Sequence, residues 1–344
     1  MKRKLVILGL ILTLVALPLT ACAKPAPAPA PAPAAPVTEE WTYVVASPGP
    51  EVESVNAYNE ELRKRTNNQS PILVPKTRAE LGMTGQELLD AISGGVLKAG
   101  HVIGNYVGGQ EPILATGGLP FLYAKKDSRA AIEAARPFCE DVLNKHGLKL
   151  LYICEFPNIV WSKIPWESVD VIPKLKLRTS SKPAVKAMEA LGAKTIILQS
   201  AEIYTSMTTG LINSFSYGPM SGMAKSFYEV SDYLYLSPIF NSQWVFGTIN
   251  QQVFDSLSPE VQTAMVDLAK EYELPVFWES AFPTGEGLAK LEANLTVIDE
   301  LPPEVVEYMR ENAAKAIWKE WAQESPEVEK QMDAIFAALG RSYK

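Results

Sequence analysis

The chain has 344 residues, a length that sets an expectation of about two domains at roughly 100–200 residues each. Apolar residues make up 47% and charged residues 21%, which excludes fibrous, collagenous and wholly disordered chains. The balance of 32 Lys+Arg against 39 Asp+Glu, net −7, argues against a nucleic-acid partner; three Cys exclude a disulfide scaffold, and two His leave little for a His-driven centre.

The chain opens with a basic head, Met1-Lys2-Arg3-Lys4, and an apolar run of 15 residues, Leu5 to Leu19. A membrane-spanning helix needs about 20 apolar residues, so this run fits a signal peptide. It ends in Leu19-Thr20-Ala21-Cys22, which resembles the bacterial lipobox, in which the Cys is acylated and becomes the mature N-terminus. Residues 1–21 are therefore expected to be removed, leaving 29 basic against 39 acidic residues and Cys22 as the lipid attachment. Six prolines fall within residues 25–36, which predicts a semi-rigid polyproline tether over 22–40, rising ~3.1 Å per residue. A lipid, a stiff tether and a globular body describe an extracytoplasmic protein held at a membrane face and otherwise soluble. Cys139 and Cys154 read as buried free thiols, with a disulfide as the alternative that export permits.

The globular part begins with a strand, Trp41 to Ala46, then a helix from about Glu51 to Thr66 with Val52, Val55, Tyr58 and Leu62 on one face. Ile72 to Val74 is a second strand. Thr84 to Glu87 is a capping box that opens a helix ended by Gly94-Gly95, and His101 to Ile103 is a third strand, followed by a Gly-rich loop, Gly104 to Gly109. Leu150 to Cys154 reads as a buried strand. The same rhythm returns: strand Lys174 to Arg178, a helix Lys182 to Leu191 capped by Ser180, strand Thr195 to Leu198, a helix Ala201 to Thr209 capped by Ser200, and strand Leu211 to Phe215. Two βαβαβ units predict two α/β lobes, joined by crossovers at Tyr152 to Ser162 and Trp244 to Asn250. Helices opened by Ser258-Pro259, Pro302-Pro303 and Ser325-Pro326 fill the last third, with Pro275 and Pro283 expected to bend or break the region between. Lobe one is expected to hold 41–156 plus about 246–283, and lobe two 157–245 plus about 284–344.

In open α/β sheets, ligands lie outside the carboxyl ends of the strands. That rule selects Ser47, Asn105 and Tyr106 in lobe one, and Arg178, Ser216 and Tyr217 in lobe two. Two lobes facing across such a crevice form a hinged clamp.

An ordered set of short motifs then resembles the DctP-type solute receptors of TRAP (tripartite ATP-independent periplasmic) transporters. It comprises Leu175-Lys176-Leu177-Arg178, Leu191-Gly192-Ala193, Glu202-Ile203-Tyr204 and Gly210-Leu211-Ile212. Glu80-Leu81-Gly82, Gly95, Leu119-Pro120-Phe121-Leu122, Phe227 to Val230 and Leu257 to Glu260 extend it. The resemblance implies a two-lobed, type II periplasmic-binding-protein-like clamp: a receptor that binds a small organic carboxylate, with Arg178 forming a two-point salt bridge to it, and a small and a large membrane subunit as partners. A planar guanidinium suits that fork. From pattern alone Lys174, Lys176 and Arg178 share one strand face and equally fit a solvated edge. The sequence departs from the family at Asn213-Ser214, where Asp-Gly is usual, and at Pro157 to Trp161, where some members carry a second arginine. Trp161, Tyr217 and Trp244 fall at strand ends or crossovers and fit either core packing or an apolar ligand wall; Tyr106 shares that ambiguity. No G-x-S-x-G, H-E-x-x-H, P-loop or G-x-G-x-x-G occurs, and no cofactor, metal cluster or nucleophile is indicated. An exported α/β hydrolase, and a receptor for a sensor or an ATP-driven importer, are the alternatives.

Overall fold

The computed structural model describes residues 35–46, 48–123, 127–236, 243–273 and 284–344. The expected signal peptide, Cys22, the tether as far as residue 34, Ser47, Pro275 and Pro283 lie outside the described residues.

Two sheets organise the chain. The first has strand order β2-β1-β3-β10-β4, from Glu40–Val45 (β1), Ile72–Thr77 (β2), Ala99–Ile103 (β3), Leu148–Phe156 (β4) and Gln243–Asn250 (β10). The second has order β11-β9-β5-β8-β6-β7, from Ile159–Ser162 (β5), Lys176–Thr179 (β6), Lys194–Ile197 (β7), Ser214–Tyr217 (β8), Tyr233–Tyr235 (β9) and Thr296–Ile298 (β11). β1 runs parallel to β2 and β3, and β6 parallel to β7 and β8, as helix-linked strands do. β10 and β5 run antiparallel to their neighbours, because each enters its sheet from the other one. The result is a two-lobed α/β fold with a helical C-terminal region.

β4 ends at Phe156 and β5 starts at Ile159, so Pro157-Asn158 carries the chain from sheet to sheet. Trp244 to Asn250, expected as the return crossover, is instead an inner strand of the first sheet, between β3 and β4. Its residues are almost all buried on both faces, which is why it reads as an unbroken apolar run. A Cβ at Gly247 would lie 2.3 Å from the Tyr152 ring, so only glycine lets that ring cross β10.

The local rules hold with small shifts. Thr84 N–H and Oγ both donate to the Glu87 carboxylate, closing the expected N-terminal bracket of the helix Glu87–Ser93. The cap of Lys182–Ala190 is Ser181, one residue later than expected, and Ser258 and Ser325 cap their helices. Gly104–Val107 is a short helix, not a loop. The expected strand at Leu211 starts only at Ser214, because Asn213 is spent as a fastener: its Oδ1 accepts from Lys176 N–H and its Nδ2 donates to the Lys174 carbonyl. The Asn-Ser departure therefore ties β8 to β6. Cys139 and Cys154 are buried free thiols.

The last helices correct the expected division. Trp318, Val328, Met332, Ile335, Phe336 and Tyr343 join the core of the first sheet, whereas Leu291, Leu295, Leu301, Val305 and Met309 enter cores of the second. The helix Pro326–Ala338 thus packs on the first sheet, and residues 310–322 lie between it and the helix Lys182–Ala190, whose Lys186 pairs with Glu320. Trp318 Nε1 donates to the Pro120 carbonyl at 2.9 Å and Trp321 Nε1 to Thr116 Oγ at 3.0 Å, which fixes the match of those helices to that core.

Candidate functional site

At the carboxyl ends of β1, β3 and β6 lies a cavity of about 50 Å³, lined by Ala46, Glu51, Arg78, Ile103, Tyr106, Phe156, Asn158, Arg178, Ser180, Tyr217, Gly218, Ser221 and Gln243. That volume is the share of one or two waters at roughly 30 Å³ each. Both sheets contribute, as the strand-end rule requires.

Arg178 is the deepest charge. It is 1% exposed, although Lys176 on the same face is exposed, because β6 is an inner strand flanked by β8 and β7. The solvated-edge alternative is therefore excluded. Nε and Nη2 donate to the Leu198 carbonyl at 2.9 and 2.7 Å, and Nη1 donates to the Ser216 carbonyl at 3.0 Å. These bonds aim the side chain and use three of its five N–H groups. Burial pushes the guanidinium below its ordinary range; the Tyr106 and Tyr217 phenols oppose that shift and Arg78 adds to it. The Tyr217 ring centre lies 6.0 Å from the Arg178 guanidinium carbon and packs edge-on against Phe227.

The facing wall comes from the first sheet. Arg78, just past β2, donates from Nε to the Ala46 carbonyl and from Nη2 to Ser200 Oγ, both at 3.2 Å, and lies 5.3 Å from the Tyr106 ring centre. Ser200 belongs to the second-sheet side, following β7, so this bond spans the two lobes. Glu51, in the first turn of Pro50–Arg65, is 3% exposed; its Oε2 accepts from Ala46 N–H at 2.8 Å and lies 3.1 Å from His101 Nδ1. His101 Nε2 is 2.9 Å from the Tyr152 hydroxyl, which is 2.7 Å from the Tyr43 hydroxyl. Burial raises the pKa of both tyrosines, so the two phenols stay protonated and uncharged. His101 is fully buried and engaged at both nitrogens.

Of the sequence-selected residues, the cavity brings together Arg178, Tyr217 and Tyr106. It does not bring in the tryptophans. Trp161 is fully buried, stacked on Phe215 at 6.0 Å, and a Cβ at Gly222 would lie 2.5 Å from its ring. Trp244 is fully buried and donates from Nε1 to the Tyr123 hydroxyl at 2.7 Å. Trp244 is core because it points to the face of β10 opposite Gln243, which lines the cavity. Trp161 shares a face with Phe215 and Tyr217 but sits further along β5 from the strand end, packed on Phe227. Asn105 faces a separate small cavity with Gly108, Ala115 and Ser181. Sequence reading missed Arg78 and Glu51. Arg78 directly follows β2, so the strand-end rule reaches it once β2 is extended to Thr77; Glu51 carried no signal beyond a helix first turn.

Among the described residues no group of His, Cys, Asp and Glu is arranged to hold a metal ion, and no helix is long and apolar enough to cross a membrane.

Two α/β lobes closing a charged cavity between their strand ends define a solute receptor of the periplasmic-binding class. Residues 42–324 match the DctP family, the bacterial extracellular solute-binding proteins of family 7, and the chain belongs to that family. The chain is 28% identical over 255 residues to the 2,3-diketo-L-gulonate-binding periplasmic protein YiaO of Escherichia coli, an alignment covering 71% of this chain and 75% of YiaO. Its fold is similar to that of DctP7 of Bordetella pertussis, an extracytoplasmic solute receptor binding pyroglutamic acid, with TM-score 0.77, 21% identity, and coverage of 87% of this chain and 99% of that one. It is also similar to a TRAP periplasmic solute-binding protein of Haemophilus influenzae with bound L-gulonate, with TM-score 0.76, 18% identity, and coverage of 88% and 100%.

Proposed function

We propose that this protein captures a small organic carboxylate on Arg178 and delivers it to the membrane subunits of a TRAP-type secondary transporter. The observation that carries the reading is a buried guanidinium, aimed by two backbone carbonyls, that lines a cavity and meets no carboxylate among the described residues. A buried charge without a counter-charge is costly, and an incoming carboxylate supplies the counter-charge through two parallel bonds. Two receptors of similar fold take acids of that kind, pyroglutamic acid and L-gulonate.

The cavity is narrow, about 50 Å³. Entry and release of an acid then turn on a parting of the lobes, for which Pro157-Asn158, between β4 and β5, serves as a hinge. Capture without chemistry fits the wall: His101, the one imidazole beneath it, already has a partner on each nitrogen. An export signal over 1–21, a lipid on Cys22 and a tether through residue 40 place the receptor at an extracytoplasmic membrane face.

Thermal-shift screening against mono- and dicarboxylates, followed by calorimetry on Arg178→Lys, tests the reading. An acid should raise the melting temperature, and the ammonium should recover only part of the wild-type affinity because it lacks the fork. If no acid raises it, the carboxylate reading fails. Cys22→Ser should release the protein from membranes; continued membrane attachment would overturn the lipid.

A further inference from the structure

We infer that Arg78 is a second ligand-binding cation, gripping from the first lobe the same carboxylate that Arg178 grips from the second; this rests on the carboxylate reading above. Three observations carry it. Arg78 and Arg178 line one cavity from opposite sheets. Tyr106 adjoins both, its ring 5.3 Å from the Arg78 guanidinium carbon and its phenol acting electrostatically on Arg178. Neither guanidinium has a carboxylate partner among the described residues: Arg78 bonds only the Ala46 carbonyl and Ser200 Oγ, which leaves both N–H groups of Nη1 uncommitted.

The charges then set the ligand class. The charged side chains lining the cavity are Arg78, Arg178 and Glu51, a surplus of one positive charge. A single carboxylate cancels it; a dicarboxylate would leave a negative charge beside Glu51. The same arrangement ties closure to the anion. Arg78 on one lobe repels Arg178 on the other, and Lys225, half-buried on the second-lobe side, is also held down in pKa by burial and by Arg78. Bringing the lobes together concentrates like charge until an anion lies between them. A neutral analogue of the ligand gives no such reversal.

The test uses the full-length receptor with L-pyroglutamate, pyruvate, L-gulonate and succinate as probes, and the amide of the best binder as the neutral control. Monocarboxylates should bind more tightly than succinate, and the amide should bind weakly. Arg78→Gln should weaken the best monocarboxylate about 10- to 100-fold, the loss expected for one charge-assisted hydrogen-bonding group. Ser200→Ala removes the bond that spans the lobes but keeps the cation, and should leave affinity within about threefold, under half a decade of binding. If Ser200→Ala reproduces the loss, Arg78 acts only as a strut and the inference is overturned. Unchanged binding in Arg78→Gln alongside lost binding in Arg178→Ala overturns this inference and leaves the carboxylate reading standing. Unchanged binding in both variants, or no response of the wild type to any acid, overturns the reading beneath it. Succinate binding more tightly than every monocarboxylate overturns the charge count.

Discussion

The two walls of the cavity are built by opposite means. On the second-lobe wall the Arg178 cation is held chiefly by backbone, the carbonyls of Leu198 and Ser216, with the Tyr106 phenol as a side-chain partner. On the first-lobe wall, beside the cation Arg78, the Glu51 carboxyl accepts from Ala46 N–H and stands on a buried file of three side chains, His101, Tyr152 and Tyr43. Carbonyls of a sheet end are set by the fold itself, so a strand-end arginine is oriented as soon as β6, β7 and β8 pair. The first-lobe file needs four separate side chains to agree. The difference teaches where specificity can vary: the Arg178 half of the carboxylate grip belongs to the sheet, whereas the opposite wall, Arg78 included, can be altered one side chain at a time.

The sharpest way to break that comparison is Arg178→Ala. Truncation leaves a ligand carboxylate without its partner, which costs about 3–5 kcal/mol, or roughly two to three and a half decades of affinity. The backbone fixing adds a second effect. From the sequence alone, a crevice-facing side chain is expected to leave folding untouched; here removal strands two carbonyl acceptors, at about 1–3 kcal/mol for a buried one. Calorimetry and thermal melts should therefore both move, and a melting temperature equal to wild type would mean the carbonyls do not hold the side chain.

Trp161→Ala should show the reverse split. The ring is sealed in the core against Phe215 and Phe227, so its loss should cost about 3–5 kcal/mol of stability. Affinity measured on the folded fraction should stay near wild type. A selective loss of binding would return Trp161 to the ligand wall that the sequence allowed for it.

Tyr217→Leu is a smaller perturbation of the second-lobe wall. The ring faces the Arg178 guanidinium at 6.0 Å, and a desolvated cation–π contact is worth about 1–2 kcal/mol. Titration should show roughly five- to thirtyfold weaker binding at that cost. An affinity equal to wild type would assign the ring to packing on Phe227 alone.

How far the sequence carried depends on what kind of force placed each residue. Strand ends were readable, because alternating and apolar runs mark β1, β3 and β6, and the rule for open sheets then points to Tyr106, Arg178 and Tyr217. The tryptophans were not: a one-residue difference in phase puts Trp244 on the face of β10 opposite Gln243. Trp161 shares the Tyr217 face but lies too far from the strand end to reach the cavity, a distance that depends on its pairing with Phe215. Asn213 hid a fastening role that depends on a neighbour in space, 37 residues away in sequence at Lys176. Glu51 was invisible for the same reason: its partner His101 lies 50 residues further on. The division of the last helices failed because three amphipathic helices show that they bury a face, but not against which sheet.

The smallest effect lies away from the cavity, where local chemistry alone was read correctly. Glu87 closes the bracket with Thr84, and the Thr84 backbone N–H followed by its hydroxyl holds the carboxyl below its ordinary value of 4.5. A lowered pKa means that the folded chain binds the proton less readily than the unfolded one, so the stabilisation is complete above 4.5 and is lost as pH falls through the folded-state value. Glu87→Gln should lower the melting temperature slightly at neutral pH, and the gap from wild type should shrink on acidification from pH 5 downward, a range that starts about half a unit above that value. Ligand affinity should not change at all, since the Glu87 bracket takes no part in lining the cavity. A gap that widens toward acid would mean that the carboxyl is bound more tightly to its proton in the folded chain, and that the bracket is not what sets the start of this helix.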